Sequence, residues 1–178
     1  EKGGLCVYPR LIAADHARDF SADAVTTGLD ELDALLGGGL VPGTNALLAG
    51  PAGVGKTTTA VRCMLAALNR GEKAAYFLFD ERLSTLLTRS RALGMDVQPF
   101  IDNGQLEIRQ IDPAELSPGE FASAVRTSVE KDGVSVVAID SLNAYLHAMP
   151  SDNFLVLQMH ELLSYLAQQG VVSLMILG

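Results

Sequence analysis

Five short apolar runs alternate with longer stretches of helical spacing, and Gly or Pro marks nearly every joint between them. The runs occupy residues 46–49, 74–79, 105–111, 134–139 and 171–177. Run 46–49 reads as a buried strand. Run 134–139 is continuously apolar and rich in β-branched residues, as expected of a strand covered on both faces. Run 105–111 alternates apolar and polar residues and reads as a half-buried or edge strand. Between the runs, 56–69 places Ala60, Cys63, Met64, Ala67 and Leu68 on one helical face, and 84–93 is helical up to Gly94. Residues 154–169 carry Leu155, Met159, Leu162, Leu163 and Leu166 at helical spacing and stop at Gly170. A further helix has the plainest start signal, with Ser117 as N-cap, Pro118 as first residue and Glu120 as reciprocal acid, and Gly133 closes it. This alternation predicts an α/β fold of three layers, a mostly parallel sheet flanked by helices.

The 178 residues suit one domain with a full core. Residues 1–25 read as an N-terminal linker or extended segment, with Val7-Tyr8-Pro9 suited to a short edge. Residues 26–178 read as the folded domain. Within it Leu29, Leu32, Leu35 and Leu36 outline a short amphipathic helix broken at Gly37-Gly38-Gly39. The sequence ends at Gly178, directly after the last apolar run, and we expect this domain to continue in a longer chain. Hydrophobic residues at 48% against 19% charged exclude a disordered chain. A net charge of −8 argues against a non-specific hold on nucleic acid or an anionic membrane. Cys6 and Cys63 form no disulfide framework, and Cys63 reads as a small buried hydrophobe, so we expect a soluble protein of the reducing cytoplasm.

Between the first run and the first long helix stands Gly50-Pro51-Ala52-Gly53-Val54-Gly55-Lys56-Thr57, which fits G-x-x-x-x-G-K-[ST]. Glycines let successive backbone N–H groups turn inward and form a nest for phosphate oxygens. The following helix directs its positive end at the same anion. Lys56 reaches the β- and γ-phosphates, the Thr57 hydroxyl is a Mg²⁺ ligand, and Thr58 adds a hydroxyl near the α-phosphate. A Gly-rich turn containing Lys-Thr by accident has odds of roughly one in a hundred at this length. It also would not need to sit between a strand and a helix.

A phosphate-bound Mg²⁺ wants a carboxylate at the end of a neighbouring strand. Val134 to Ile139 followed by Asp140 and Ser141 supplies one, and Asp140 would act through the water shell. Hydrolysis further needs a group that orients water. Asp80 and Glu81 close the second run at the sheet edge where ligands bind in such folds. A solvated pair partly offset by Arg82 is the plain alternative, and the residues leave both readings open. His16, His147 and His160 read as surface or satisfied core histidines rather than catalytic groups.

The sequence resembles the KaiC-like branch of the RecA-superfamily, P-loop ATPases. The resemblance is carried by Thr27-Gly28-Leu29-Asp30-Glu31-Leu32-Asp33, by Leu36-Gly37-Gly38-Gly39-Leu40-Val41-Pro42-Gly43 and by the phosphate loop. Further on it rests on Phe77-Leu78-Phe79-Asp80-Glu81 and Val137-Ala138-Ile139-Asp140-Ser141-Leu142. It implies a Mg²⁺-dependent, ATP-hydrolysing domain with a signalling or clock-related role. ATP would lie between neighbouring subunits of a homo-oligomer, hexameric in the full-length protein, and a signalling protein would be the partner. Family members carry two glutamates where this chain has Asp80-Glu81, and the first or both are credited with activating water. Asp80 keeps that charge one methylene further back. The leading residues 3–11 resemble the connection that enters the second of two tandem domains. Ser/Thr autokinase activity rests, in the clock protein, on residues beyond Gly178 and is not carried onto this chain.

Two other readings share the same loop. A RecA- or RadA-type DNA-repair ATPase would need basic loops beyond the fourth and fifth strands, and residues 141–153 contain no Lys or Arg. A nucleotide-gated assembly module would bind ATP with little turnover, and no arginine finger is identifiable in this sequence.

Overall fold

A computed structural model describes residues 7–8, 11–16, 18–112, 117–147 and 152–178. Helix α1 (Asp30–Leu35) precedes β1 (Asn45–Ala49), which feeds α2 (Lys56–Asn69). Strand β2 (Ala74–Leu78) is followed by α3 (Leu83–Ala92) and α4 (Gln98–Asp102), then β3 (Leu106–Gln110) and α5 (Pro118–Glu130). Strand β4 (Val136–Asp140), helices α6 (Leu142–His147) and α7 (Asp152–Gln168), and β5 (Val172–Leu177) complete the order. The pairings between these strands are parallel, in the order β1-β5-β4-β2-β3, and an isolated bridge between Val25 and Leu40 is antiparallel. The three-layer α/β architecture expected from the alternation is therefore present.

Strand alternation divides the core in two. Ala74, Tyr76 and Leu78 of β2, with Val136 and Ala138 of β4, face Ala60, Met64, Ala67 and Leu68 of α2. Ala75 and Phe77, with Val137 and Ile139, face Phe121, Val125 and Val129 of α5 and Leu155, Met159, Leu162 and Leu166 of α7. Below the carboxyl ends of β2 and β4, Phe121 meets Phe77 and Phe79 edge-on, with centroids 5.4 Å apart in each pair, and Tyr145 at 5.2 Å. Ser117 and Glu120 form the expected capping box at the start of α5.

Several expectations are corrected. Run 46–49, read as buried, is an edge strand whose Asn45, Leu47 and Ala49 are exposed, because only β5 pairs with it among the described residues. Run 171–177, the last in sequence, lies inside the sheet between β1 and β4 and is buried along most of its length. Helices α4 and α6 were not anticipated. Nor was a one-turn 3-10 helix at Ala13–His16, inside the segment read as extended. Ala13 is buried against the α5/α7 side of the core, the Arg18 amide donates to the Gln168 carbonyl at 3.0 Å, and the His16 ring meets Tyr165 edge-on at 5.4 Å. Cys6, Pro9, Pro150 and most of residues 3–11 lie outside the described residues. No described helix is long and apolar enough to cross a membrane.

Phe121→Ala should cost about 3–5 kcal/mol in urea unfolding, since three aromatic neighbours cannot close the gap. The Ser117 backbone N–H and then its side chain hold the Glu120 carboxyl below its ordinary value of 4.5. A folded-state value lowered in this way stabilises above the unfolded value and is lost as pH falls through the folded one. The cost of Glu120→Gln, read from urea midpoints, should accordingly be larger at pH 7 than at pH 3. Equal costs would contradict this role.

Candidate functional site

The carboxyl edge of the sheet gathers the residues singled out above. β1 ends at Ala49, and the chain turns through residues 50–55 into α2. Gly53 and Gly55 take φ of +84° and +92°, a region that favours glycine, and a Cβ at either would meet nothing within 4 Å. Backbone conformation, not crowding, therefore demands glycine at both. Pro51, Ala52, Gly53 and Val54 are exposed.

Helix α2 starts without a side-chain cap, in contrast to α5. Its first intrahelical bond beyond the cap runs from the Thr59 amide to the Gly55 carbonyl at 2.8 Å. The amides of Lys56, Thr57 and Thr58 are thus the orphan donors that any helix start presents, here at the positive end of a 14-residue helix. Lys56 Nζ donates to the Gly50 carbonyl at 2.6 Å and the Pro51 carbonyl at 2.9 Å, so its ammonium lies across the loop. Thr58, in the first turn, is half-buried.

Thr57 and Asp140, 83 residues apart, meet directly: Thr57 Oγ1 donates to Asp140 Oδ2 at 2.8 Å. A second donor reaches the same oxygen, the Tyr76 hydroxyl, also at 2.8 Å. Burial first, and then the neighbouring Asp140 carboxylate, push the Tyr76 phenol well above its ordinary value of 10. It stays protonated and donates. The oxygen-only donor set fits Mg²⁺, because Thr57 gives its proton to Asp140 and keeps its lone pairs for a cation. No described group of three or more His, Cys, Asp or Glu could hold a metal by itself. A divalent ion here would complete its shell with water and phosphate.

Asp80 and Glu81 are adjacent but separately engaged. The Phe79 amide donates to the Asp140 carbonyl at 2.7 Å, carrying the β2–β4 ladder to the residue before Asp80. The Ser141 hydroxyl donates to the Asp80 carboxylate and accepts from the Ala144 amide at 3.3 Å. The Asp140–Ser141 peptide is cis. Glu81 instead accepts a two-pronged guanidinium contact from Arg89 of α3, at 2.6 and 2.8 Å. The counter-charge of Glu81 is therefore Arg89 rather than the neighbouring Arg82.

Tyr76 and Arg89 escaped the sequence reading. Tyr76 is the one polar-tipped residue of β2, which was its available signal. Arg89 lies eight residues from Glu81, beyond local helical pairing. Cys63 is buried, with its thiol pushed up to about 11, chiefly by burial, in keeping with a small core residue. His160 is exposed on α7, and His16 packs against Tyr165.

A glycine-rich loop joining a parallel strand to a helix, with its Thr bonded to an Asp at the end of β4, which β5 separates from β1 rather than leaving it the expected neighbour, defines a P-loop NTPase domain of the RecA-like kind. Residues 25–178 match the family model for the KaiC ATPase, and the chain belongs to that family. The chain is 27% identical over 145 residues to the circadian clock protein KaiC2 of Synechocystis sp. (strain ATCC 27184 / PCC 6803 / Kazusa), covering 80% of this chain and 25% of that protein. It is 27% identical over 162 residues to KaiC3 of the same organism, covering 86% and 32%. It is 24% identical over 152 residues to the circadian clock oscillator protein KaiC of Picosynechococcus sp. (strain ATCC 27264 / PCC 7002 / PR-6), covering 85% and 29%. The matched region thus spans about a quarter to a third of these relatives' length.

Side chains of Arg89 and Glu81 are 40% and 23% exposed, which limits what their contact is worth. A double-mutant cycle with Glu81→Gln and Arg89→Gln should return a coupling of about 1 kcal/mol or less. A coupling of several kcal/mol would mean the pair is far drier than this geometry allows.

Proposed function

We propose that this domain binds and hydrolyses ATP with Mg²⁺ as cofactor. The Thr57–Asp140 hydrogen bond carries the reading, because it joins the phosphate loop to the strand end where a nucleotide-bound cation would be shared. Within the loop formed by Gly50, Pro51, Ala52, Gly53, Val54 and Gly55, every residue but Pro51, which has no N–H, offers a backbone donor, and these with the amides of Lys56, Thr57 and Thr58 would take the phosphates. Lys56 exchanges its loop carbonyls for the β- and γ-phosphate oxygens. Thr57 would hold the cation directly and Asp140 through water. Mg²⁺, when bound, would neutralise charge developing between the β- and γ-phosphates.

Asp80 is our choice for the group that orients the attacking water. Its partner is a neutral hydroxyl from the residue after Asp140, so its carboxylate keeps acceptor capacity beside the site. Glu81 has both oxygens on Arg89 and acts as the second carboxylate, fixing the loop that carries Asp80. Transfer of the phosphoryl group to water would rest on positioning and electrostatics.

For the full-length protein we propose a cytoplasmic homo-oligomer, hexameric as the family resemblance implies, with nucleotide between neighbours. Its output would be a clock-related or signalling partner protein, as the family resemblance implies, and the relatives above are circadian clock proteins by name. A net charge of −8, with no Lys or Arg after Lys131, weighs against nucleic acid as that partner.

Phosphate release and ATP binding test the assignment together. Lys56→Ala should weaken ATP binding at least tenfold. Asp80→Asn should keep binding and lower phosphate release about a hundredfold, whereas Glu81→Gln should lower it less than tenfold. Equal, near-zero release in all proteins would favour a nucleotide-gated assembly module. Salt-dependent DNA binding would favour the recombination-type reading.

A further inference from the structure

We propose that Tyr76 is a positioning residue for the metal side of this site. Its phenol, from inside the sheet, holds Asp140 in the orientation that turns the Thr57 lone pairs toward Mg²⁺. The inference rests on the nucleotide reading above and deepens it.

Register places the two residues. Leu78 of β2 stands opposite Asp140 of β4, and Tyr76 stands opposite Ala138 on the same face. The phenol therefore starts two residues below the carboxylate, a rise of about 6.6 Å, and its length spans that rise. The ring is 2% exposed and packs in the α2-facing core with Ala60, Met64 and Leu78. Every other residue of β2 is Ala, Phe or Leu. Phenylalanine would fill the same space, and a buried hydroxyl costs about 1–3 kcal/mol unless bonded. The hydroxyl therefore has an assignment beyond packing. It is spent on the carboxylate that also receives Thr57.

The geometry at Asp140 gives that bond its effect. Both hydroxyls meet Oδ2, and among the described residues no donor meets Oδ1. Asp140 ends its strand and is half-exposed, so Thr57 alone would leave its side chain a hinge about one contact. The rigid phenol supplies the second point. With Oδ2 fixed, the single proton of Thr57 has one direction to take, and its lone pairs are left facing the phosphate loop. Oδ1 remains for the water shell of a cation. Outer contacts of this kind tune metal affinity without touching the metal.

A fluorescent ATP analogue bound by the purified 178-residue chain separates this role from packing. Affinity is measured in EDTA and then in rising Mg²⁺, for wild type, Tyr76→Phe and Asp140→Asn. Wild type should bind more tightly as Mg²⁺ rises, and Asp140→Asn should lose most of that response. Tyr76→Phe should keep its EDTA affinity within about twofold while needing roughly three- to tenfold more Mg²⁺ for half the tightening. Tyr76→Met, also without a hydroxyl, repeats the measurement if the Phe variant does not fold. An unchanged Mg²⁺ requirement in a folded variant overturns the inference and leaves the nucleotide reading standing. So does failure of both variants to fold, which would make the phenol a support of the core. Absence of any Mg²⁺ response in wild type overturns the nucleotide reading, and this inference with it.

Discussion

Two hydroxyls, from α2 and from β2, converge on one carboxylate oxygen at the end of β4. That convergence ties together the three elements on which the edge of the sheet depends. Asp140 ends a strand whose other residues are all buried, so its charge stands where water is scarce on one side. A carboxylate in such a place requires donors. The sheet provides one through the pairing of Leu78 with Asp140, which brings Tyr76 within reach. The packing of α2 on the same face provides the other. Slipping β2 by one residue would send Tyr76 to the opposite face, where Phe121 and α7 lie, and would leave Asp140 with Thr57 alone.

The acids that follow β2 lie beyond its last paired residue, where the chain bends over residues 79–81. Asp80 and Glu81 are neighbours in sequence, yet each takes a different partner. One finds the hydroxyl of Ser141 and the other the guanidinium of Arg89. A charge matched by a two-pronged cation has little left to offer a water molecule, whereas a charge matched by a single neutral hydroxyl retains most of its acceptor capacity. Identical chemistry in the two side chains is thus divided by partner rather than by type.

Local signals in the sequence carried the fold well. The five runs became five strands, and the Ser117–Glu120 pattern became a real capping box, because both depend on neighbours close in sequence. Helices α4 and α6, of five and six residues, have few turns in which to show a periodicity, and α1, also of six, was legible only through Leu29, Leu32, Leu35 and Leu36 in and beside it. The burial of β1 was misjudged for a different reason: Ala46, Leu47 and Leu48 are apolar whether or not a further strand lies beside them, and edge position is a property of the whole sheet. The phosphate loop was legible since its function needs a contiguous backbone. Its partners on other strands were legible only in part. Asp140 could be found because an acid stops an apolar run, but Tyr76 looks like any aromatic in a buried strand. Its hydroxyl acquires meaning only from a residue 64 positions away.

Lys56 shows how a loop this exposed can hold its shape and still release its ammonium to a ligand. Its Nζ is held by the carbonyls of Gly50 and Pro51, which lie at the start of the turn that its own backbone ends. The side chain thereby closes the turn on itself, adding two bonds to a backbone in which Gly53 and Gly55 already occupy positive φ. Both acceptors are neutral, and Pro51 is exposed, so water can take over its carbonyl once the ammonium leaves. Phosphate oxygens carry formal charge, so the ammonium would trade two contacts to neutral carbonyls for contacts to opposite charge. On the nucleotide reading proposed above, exchange of two carbonyls for phosphate would therefore be favourable. The contacts that keep the cradle open are also those most easily given up.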